Sequence, residues 1–338
     1  MTTNHQFELY EQYEQMEDLA GLPPIRNVPD EQFRHQRRKK KAINEKKGME
    51  VYELEEKENQ FNFSYGASKH EKAWINDSLF DFYRQNWLDD ILRLIKGGGK
   101  EASVYQCLAN PTAPYKFIAA KVYRPRKFRH LRNDSLYREG RMHLDDEGHE
   151  IRDDRALHAI QKRTNFGKRL LHTSWIEHEF QTMSKLHEAG ANIPEPFASG
   201  NNAILMAYIG WDDAAAPTLN SVRLGREEAQ KLFDKAIENI EIMLSNYCVH
   251  GDLSAFNILY HEGDIFLIDF PQAIDPRVNR NAYAIFKRDI FRLCEYFQSQ
   301  GVKCEPSKLS DQLWEKYGYE ILPHVDPRFF DADYDNEA

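Results

Sequence analysis

The stretch His250-Gly251-Asp252-Leu253-Ser254-Ala255-Phe256-Asn257, with Leu267-Ile268-Asp269-Phe270 soon after it, constrains this chain more than any other feature. It places Asp252, an amide at Asn257 and a second carboxylate at Asp269 in a loop and the short strands that follow. The apolar run Ile265-Phe266-Leu267-Ile268 predicts a strand that delivers Asp269 at its end. Phosphoryl transfer from a nucleotide needs such a set: a carboxylate beside the attacking hydroxyl, and oxygen ligands for the metal ion that bridges the phosphates. On that reading Asp252 is the base-like residue, and Asn257 and Asp269 are the metal ligands. Either aspartate alone reads better as a cap in a polar turn. The spacing and the residues upstream favour the site.

Upstream, Gly97-Gly98-Gly99-Lys100-Glu101 leads into the strand Ala102-Ser103-Val104-Tyr105. Three glycines fit a hairpin turn, and they also fit a loop whose N–H groups approach phosphates closely. The ending of a Walker loop is missing. Lys121, inside the apolar Ala119-Ala120-Lys121-Val122-Tyr123, shifts the balance, because a lysine in such a strand is costly unless its ammonium meets an anion. Residues Gly97 to Glu101, Ser103 and Lys121 are therefore read as nucleotide contacts. A carboxylate should fix the lysine. In the helix predicted over Lys168–Ala189 and closed by Gly190, Glu179 shares a stripe with Ile176, Phe180, Met183 and Leu186, whereas Glu177 reads as solvated. Glu179 is the chosen partner. Leu205 to Gly210 ends an apolar strand, and in this reading Met206 backs an adenine pocket whose edge is met by the backbone of Ala207 and Ile209. An ordinary core strand has the same sequence.

At 338 residues the chain has room for a two-lobed domain with extensions, and 41% hydrophobic residues support a real core. Four scattered cysteines without a Cys-x-x-Cys pair read as reduced thiols, neither zinc ligands nor a disulfide framework. No apolar run reaches membrane-spanning length, so the expectation is a cytoplasmic protein with no membrane partner. The net charge of −9 argues against indiscriminate nucleic-acid binding, and no DNA partner is expected. Yet Arg34 to Lys47 holds eight Lys or Arg, and Arg124 to Arg141 seven. Such blocks are usually solvated, but they can also track a phosphate backbone. Residues 1–77 read as a charged, largely disordered arm, 78–305 as the catalytic domain (N-lobe about 90–206, C-lobe about 210–305), and 306–338 as a helix and acidic tail. A helix is predicted through Leu79, Phe82, Trp87, Leu88, Ile91 and Leu92, strands at Ser103–Leu108, Phe117–Tyr123 and Ala203–Ile209, and helices at Arg226–Asn246 and Asn281–Phe297. Arg124 to about Phe166 reads as a polar insert with no core face.

Together, Gly99-Lys100-Glu101-Ala102-x-Val104-Tyr105, Trp175-x-Glu177-x-Glu179-Phe180, Met206-x-Tyr208-Ile209-Gly210 and the His250–Asn257 loop resemble the RIO family of atypical protein kinases, over about residues 90 to 300. The insert before Trp175 looks like the branch without a winged helix, whereas Ile268-Asp269-Phe270-Pro271-Gln272 looks more like the winged-helix branch; the first eighty residues do not pattern as a winged helix, which places the chain nearer the former. Two features depart from the pattern: Gly97-Gly98 stands where that branch usually has a hydroxyl pair, and no His-Pro follows Gln272. The resemblance implies an α+β, two-lobed protein-kinase-like fold with a β-rich N-lobe and a helical C-lobe. It implies a serine kinase or ATPase using ATP and Mg2+ (Mn2+ as an alternative ion), with Lys121, Asp252 and Asp269 catalytic. It further implies autophosphorylation, transient phosphorylation of Asp269, and a role in small-ribosomal-subunit maturation with the pre-ribosomal particle and its RNA as partners. The competing readings are a small-molecule phosphotransferase of the aminoglycoside or choline kinase type and a non-catalytic ATP-binding assembly factor.

Overall fold

The computed structural model describes residues 61–96, 102–123, 137, 141–200 and 202–320. The basic block at 34–47, the glycine loop at 97–101, most of the second basic region and the acidic tail lie outside the described residues. The elements below all belong to the unit Asn62–Ala338.

Helix α1 (Lys69–Arg84) starts at Ser68, whose hydroxyl accepts from the Glu71 N–H, and it buries Ile75, Leu79 and Phe82. It therefore begins inside the segment read as a disordered arm. The sequence pattern runs this helix on to Leu92, but the chain instead turns at Asn86 (φ 61°) and enters strand β1 (Leu88–Lys96). Leu88 and Ile91 are both fully buried, at a three-residue spacing that imitates a helix. A bulge explains it. Between Leu88 and Asp90 the register against the next strand slips by one residue, so Leu88 opposite Ala109 and Ile91 opposite Cys107 end on one face.

Strands β2 (Ala102–Ala109) and β3 (Phe117–Tyr123) continue an antiparallel sheet. The polar insert then carries a short helix, α2 (Asp154–Gln161), capped by the Asp153 carboxylate on the Ala156 N–H and packed through Ala156 and Ile160. Its core face is two residues wide, too little to show as a period. Helix α3 (Asn165–Glu188) begins earlier than predicted because the Thr164 hydroxyl caps it, accepting from the Gly167 N–H at 3.1 Å. It ends at Gly190 in the left-handed conformation (φ 87°), as expected of that glycine. Strands β4 (Pro196–Gly200) and β5 (Ala203–Ala207) complete a five-stranded sheet in the order β1-β2-β3-β5-β4.

Beyond the sheet the chain is mainly helical: α4 (Arg226–Ser245), the hairpin β6 (Ile258–His261) and β7 (Asp264–Leu267), then α5 (Ala282–Ser299) and α6 (Pro306–Lys316). Glu262 and Gly263, both at positive φ, make the tight turn of that hairpin. Ile290, Leu293 and Phe297 of α5 are fully buried, Phe297 lying 5.2 Å from the Phe233 ring of α4. Trp314 ties α6 to α5 between Tyr283 and Phe286. The architecture is α+β and two-lobed, with a β-rich N-lobe and a helical C-lobe. All four cysteines are free, and no helix among the described residues is long and apolar enough to cross a membrane.

Gly167 sits where α3 meets α2, and a Cβ there would lie 2.0 Å from the Ala159 carbonyl oxygen. Helix propensity favours alanine over glycine by ~1 kcal/mol. The clash is with backbone that cannot rotate away, so Gly167→Ala is expected to lower stability by about 1–3 kcal/mol in urea unfolding. A gain in stability would show that the α2–α3 contact yields easily.

Candidate active site

Lys121 projects from β3 into an apolar wall, and its ammonium meets two carboxylates: Glu179 Oε1 of α3 at 2.6 Å, and Asp269 Oδ1. Burial pulls the lysine pKa down, but the two anions more than reverse this and hold it above its ordinary value. Burial likewise pushes the Asp269 carboxyl up, and Lys121, assisted by Lys96 and His250, outweighs it and holds the carboxyl below its ordinary value. Glu179 is fully buried and saturated: Oε1 also accepts from the Phe270 N–H at 3.2 Å, and Oε2 from the Tyr123 hydroxyl at 2.6 Å. Glu177, by contrast, does not pair with the lysine, yet neither is it solvated. It lies buried under β4, accepting from the Ser199 hydroxyl at 2.7 Å, and burial raises its pKa. The helical phase separates the two glutamates, but it does not show that a second surface covers the other face.

The loop after α4 is fixed by its own imidazole. The His250 Nδ1 accepts from the Asp252 N–H at 3.3 Å, leaving Nε2 to donate to the Ile268 carbonyl at 3.2 Å. Gly251 has φ 86°, and a Cβ there would fall 2.1 Å from the Gln272 carbonyl oxygen, so only glycine fits. Asn257 Nδ2 donates to the Asp252 carbonyl (2.9 Å) and to its Oδ2 (3.2 Å). The pairing of Ile258 with Leu267 sets Asn257 against Ile268, whose N–H donates to the Asn257 carbonyl at 3.0 Å. Asn257 and Asp269 thus flank the open end of one hairpin, one residue before β6 and two residues after β7. Asp269 itself has φ 75°, unusual for a residue with a side chain.

Three residues of α5 that sequence reasoning passed over hold this loop. The buried Asp289 carboxylate accepts from the Gly251 N–H at 2.9 Å, Arg288 donates to the Gly251 carbonyl, and Arg292 Nη1 donates to Asp252 Oδ1 at 2.9 Å. Burial keeps the Asp289 pKa above its ordinary value despite Arg288 and His250. A signal for Asp289 was present: it falls on the apolar stripe Ile285, Leu293, Phe297, the same kind of position that singled out Glu179. Arg141, at the end of the second basic region, donates to the carbonyls of Pro271 (2.8 Å) and Ala273 (2.6 Å).

Lys121, Glu179, Asp252 and Asp269 line one end of a cleft of about 690 Å³, within the usual range of small-ligand sites. Val104, Ala119, Met183, Met206 and Ile268 supply apolar walls, and Lys96, Lys121, Asp252 and Asp269 the polar end. Met206, Ala207 and Ile209 line it as the sequence suggests. The Ala207 N–H is already spent on the Glu195 carbonyl (2.8 Å), and the Ile209 carbonyl accepts from Ala216 (3.0 Å), which leaves the Ile209 N–H to meet a ligand. Ser103 is misplaced by the sequence reading. Ala102 and Val104 face the cleft, so alternation along β2 turns the buried Ser103 side chain to the other face of the sheet. Gly97, Gly98, Gly99, Lys100 and Glu101 lie outside the described residues. No cluster of three or more His, Cys, Asp or Glu residues suited to a metal ion occurs among the described residues. The donor set still fits a Mg2+ ion held largely by phosphate oxygens and water, because Asn257 Oδ1 and Asp269 Oδ2 remain after their partners are counted.

The sequence profile of the RIO domain matches residues 103–309. The chain is 29% identical over 219 residues to the RIO-type serine/threonine-protein kinase Rio1 of Haloferax volcanii, covering 64% of this chain and 65% of that protein. It is 30% identical over 142 residues to Rio1 of Thermoplasma acidophilum (42% and 73%), and 33% identical over 153 residues to Rio2 of Methanocaldococcus jannaschii (43% and 56%). Among solved structures it is similar to the Rio2 kinase-ADP/Mg2+-phosphoaspartate complex from Chaetomium thermophilum, with 20% identity, a TM-score of 0.48, and coverage of 74% and 69%. The chain spans just under two thirds of the Haloferax protein's length. The matched segment takes in Lys121, Glu179, the His250–Asn257 loop and Asp269 alike, and the chain belongs to the RIO domain family.

Proposed function

We propose that this protein is an ATP-dependent serine kinase or ATPase. The observation that carries the reading is the buried Lys121, held between Glu179 and Asp269 on the wall of a cleft whose polar end also presents Asp252. Lys121 orients phosphate oxygens, Glu179 fixes Lys121, and Asp252 accepts a hydrogen bond from the attacking hydroxyl or water. Asn257 and Asp269 hold a Mg2+ ion, which when bound neutralises charge on the phosphates. Met206 backs the purine, and the Ile209 N–H meets its edge. The nucleotide contacts of Gly97 to Glu101 belong to the same reading. From the family come autophosphorylation on serine, turnover through Asp269, and work on the maturing small ribosomal subunit in the cytoplasm.

Calorimetry with Mg-ATP tests the site. Lys121→Ala and Asp269→Ala are expected to lose most of the affinity, because both residues act on the ground state as well as the transition state. Asp252→Ala is expected to keep affinity within a few-fold while losing most turnover, followed as label transferred to the protein or released as phosphate. Wild-type affinity in both of the first two variants sinks the assignment.

Glu179→Gln removes a charge that Lys121 needs, and autophosphorylation is expected to fall by roughly one to three orders of magnitude. Glu177→Gln is expected to leave it unchanged, since an amide oxygen still accepts from Ser199. The reverse ranking in initial rates would show that the lysine works with the other glutamate.

Eight basic residues between Arg34 and Lys47 would each neutralise a phosphate, which makes the arm the source of ribosomal-RNA affinity. Deleting residues 1–48 is expected to abolish RNA binding across a salt series and to leave autophosphorylation intact. Equal binding by the truncated protein would shift the role to Arg124–Arg141.

A further inference from the structure

We propose that Arg292 is the positioning residue for Asp252, acting from α5 without touching the nucleotide; this rests on the phosphotransfer reading above. Asp252 stands in a loop with its side chain 42% exposed, a setting in which an aspartate explores several rotamers unless it is held. Two contacts hold it. Asn257 Nδ2 reaches Oδ2 at 3.2 Å, a long hydrogen bond, and Arg292 Nη1 reaches Oδ1 at 2.9 Å with opposite charge. The second contact therefore dominates the orientation of the carboxylate.

Arg292 is well placed for this. Its neighbours Ile290 and Leu293 are fully buried, so its backbone belongs to a rigid element. One turn earlier on the same helix, Asp289 and Arg288 hold the N–H and the carbonyl of Gly251. A single helix thus grips two consecutive loop residues, the peptide of one and the side chain of the next. The cations of the cleft wall, Lys96 and Lys121, come from β1 and β3 on the other side, and Arg292 is not part of that wall. Its influence on turnover must pass through Asp252. A half-exposed ion pair adds little to stability, whereas a displacement of about 1 Å in a reacting group costs on the order of 100-fold in rate. The pair matters for rate and not for folding.

The test is a double-mutant cycle on the full chain, measuring ATP turnover, the KM for ATP and the thermal midpoint. Arg292→Ala is expected to lower kcat roughly 10- to 100-fold while KM and the midpoint stay at wild-type values. Arg292→Lys, which restores the charge, is expected to recover much of the loss. In the Asp252→Ala background, Arg292→Ala is expected to add nothing. Losses that add in the double variant, a KM that rises as far as kcat falls, or an unchanged kcat in Arg292→Ala would each overturn the proposal. Wild-type turnover in Asp252→Ala would instead remove the phosphotransfer reading, and this inference with it.

Discussion

An ammonium group inside an apolar sheet is the constraint on which the rest of this structure depends. Removing Lys121 from water costs several kcal/mol by any estimate of ion burial, and no single carboxylate both repays that cost and leaves the site open. The chain supplies two, from segments far apart in sequence: Glu179 from the helix that follows the insert, and Asp269 from the end of β7. Each has a different share of the task. Glu179 is committed on both oxygens and is structural in character, whereas Asp269 gives one oxygen to the lysine and keeps the other facing the cleft. Two carboxylates against one ammonium leave an excess negative charge at the polar end of the cleft, where a divalent ion is most favoured.

The same three residues join the sheet to the helical lobe. Glu179 accepts from the Phe270 N–H, so the helix packed on the N-lobe reads the backbone of the segment after Asp269. Phe270 lies fully buried, 4.7 Å from the His250 ring, and His250 in turn orders the Asp252 peptide. Lys121 is thus linked directly to Asp269 and, through Glu179, Phe270 and His250, to the Asp252 peptide. The opposite side is held by α5, whose Asp289 and Arg288 fix the Gly251 peptide. The site is suspended between a sheet and a helix, and neither support lies in the loops that hold Asp252 and Asp269.

The parts of this arrangement that were legible in the sequence share one property: each breaks a local rule. Lys121 is a charge in an apolar strand, Glu179 a charge on an apolar helix stripe, and Asp252, Asn257 and Asp269 polar residues at a fixed spacing beside a strand. What was not legible depends on pairing between distant segments. The bulge that puts Leu88 and Ile91 on one face is a matter of register with Cys107 and Ala109, and without it the spacing reads as helix. Ser103 stands between Ala102 and Val104, which face the cleft, and strand alternation turns it to the other face. Glu177 looked solvated because the sheet edge over it comes from residues 196–200. Asp289 is the exception, since the argument that found Glu179 applies to it unchanged.

The backbone at Asp269 shows why so many partners converge there. A residue with a side chain at φ 75° carries on the order of 1 kcal/mol or more of strain, and it persists only where the surroundings leave no alternative. Here each neighbour on the chain is held. The Ile268 N–H goes to Asn257, the Phe270 N–H to Glu179, and the Pro271 and Ala273 carbonyls to Arg141. The Gln272 carbonyl packs against Gly251, where a larger residue would clash. With both flanks fixed, relaxing φ at Asp269 would break several of these contacts at once, and their combined loss outweighs the strain. The left-handed conformation is thus a consequence of the contacts around it. It turns the carboxylate back to Lys121 and out of the path that an extended strand would have given it.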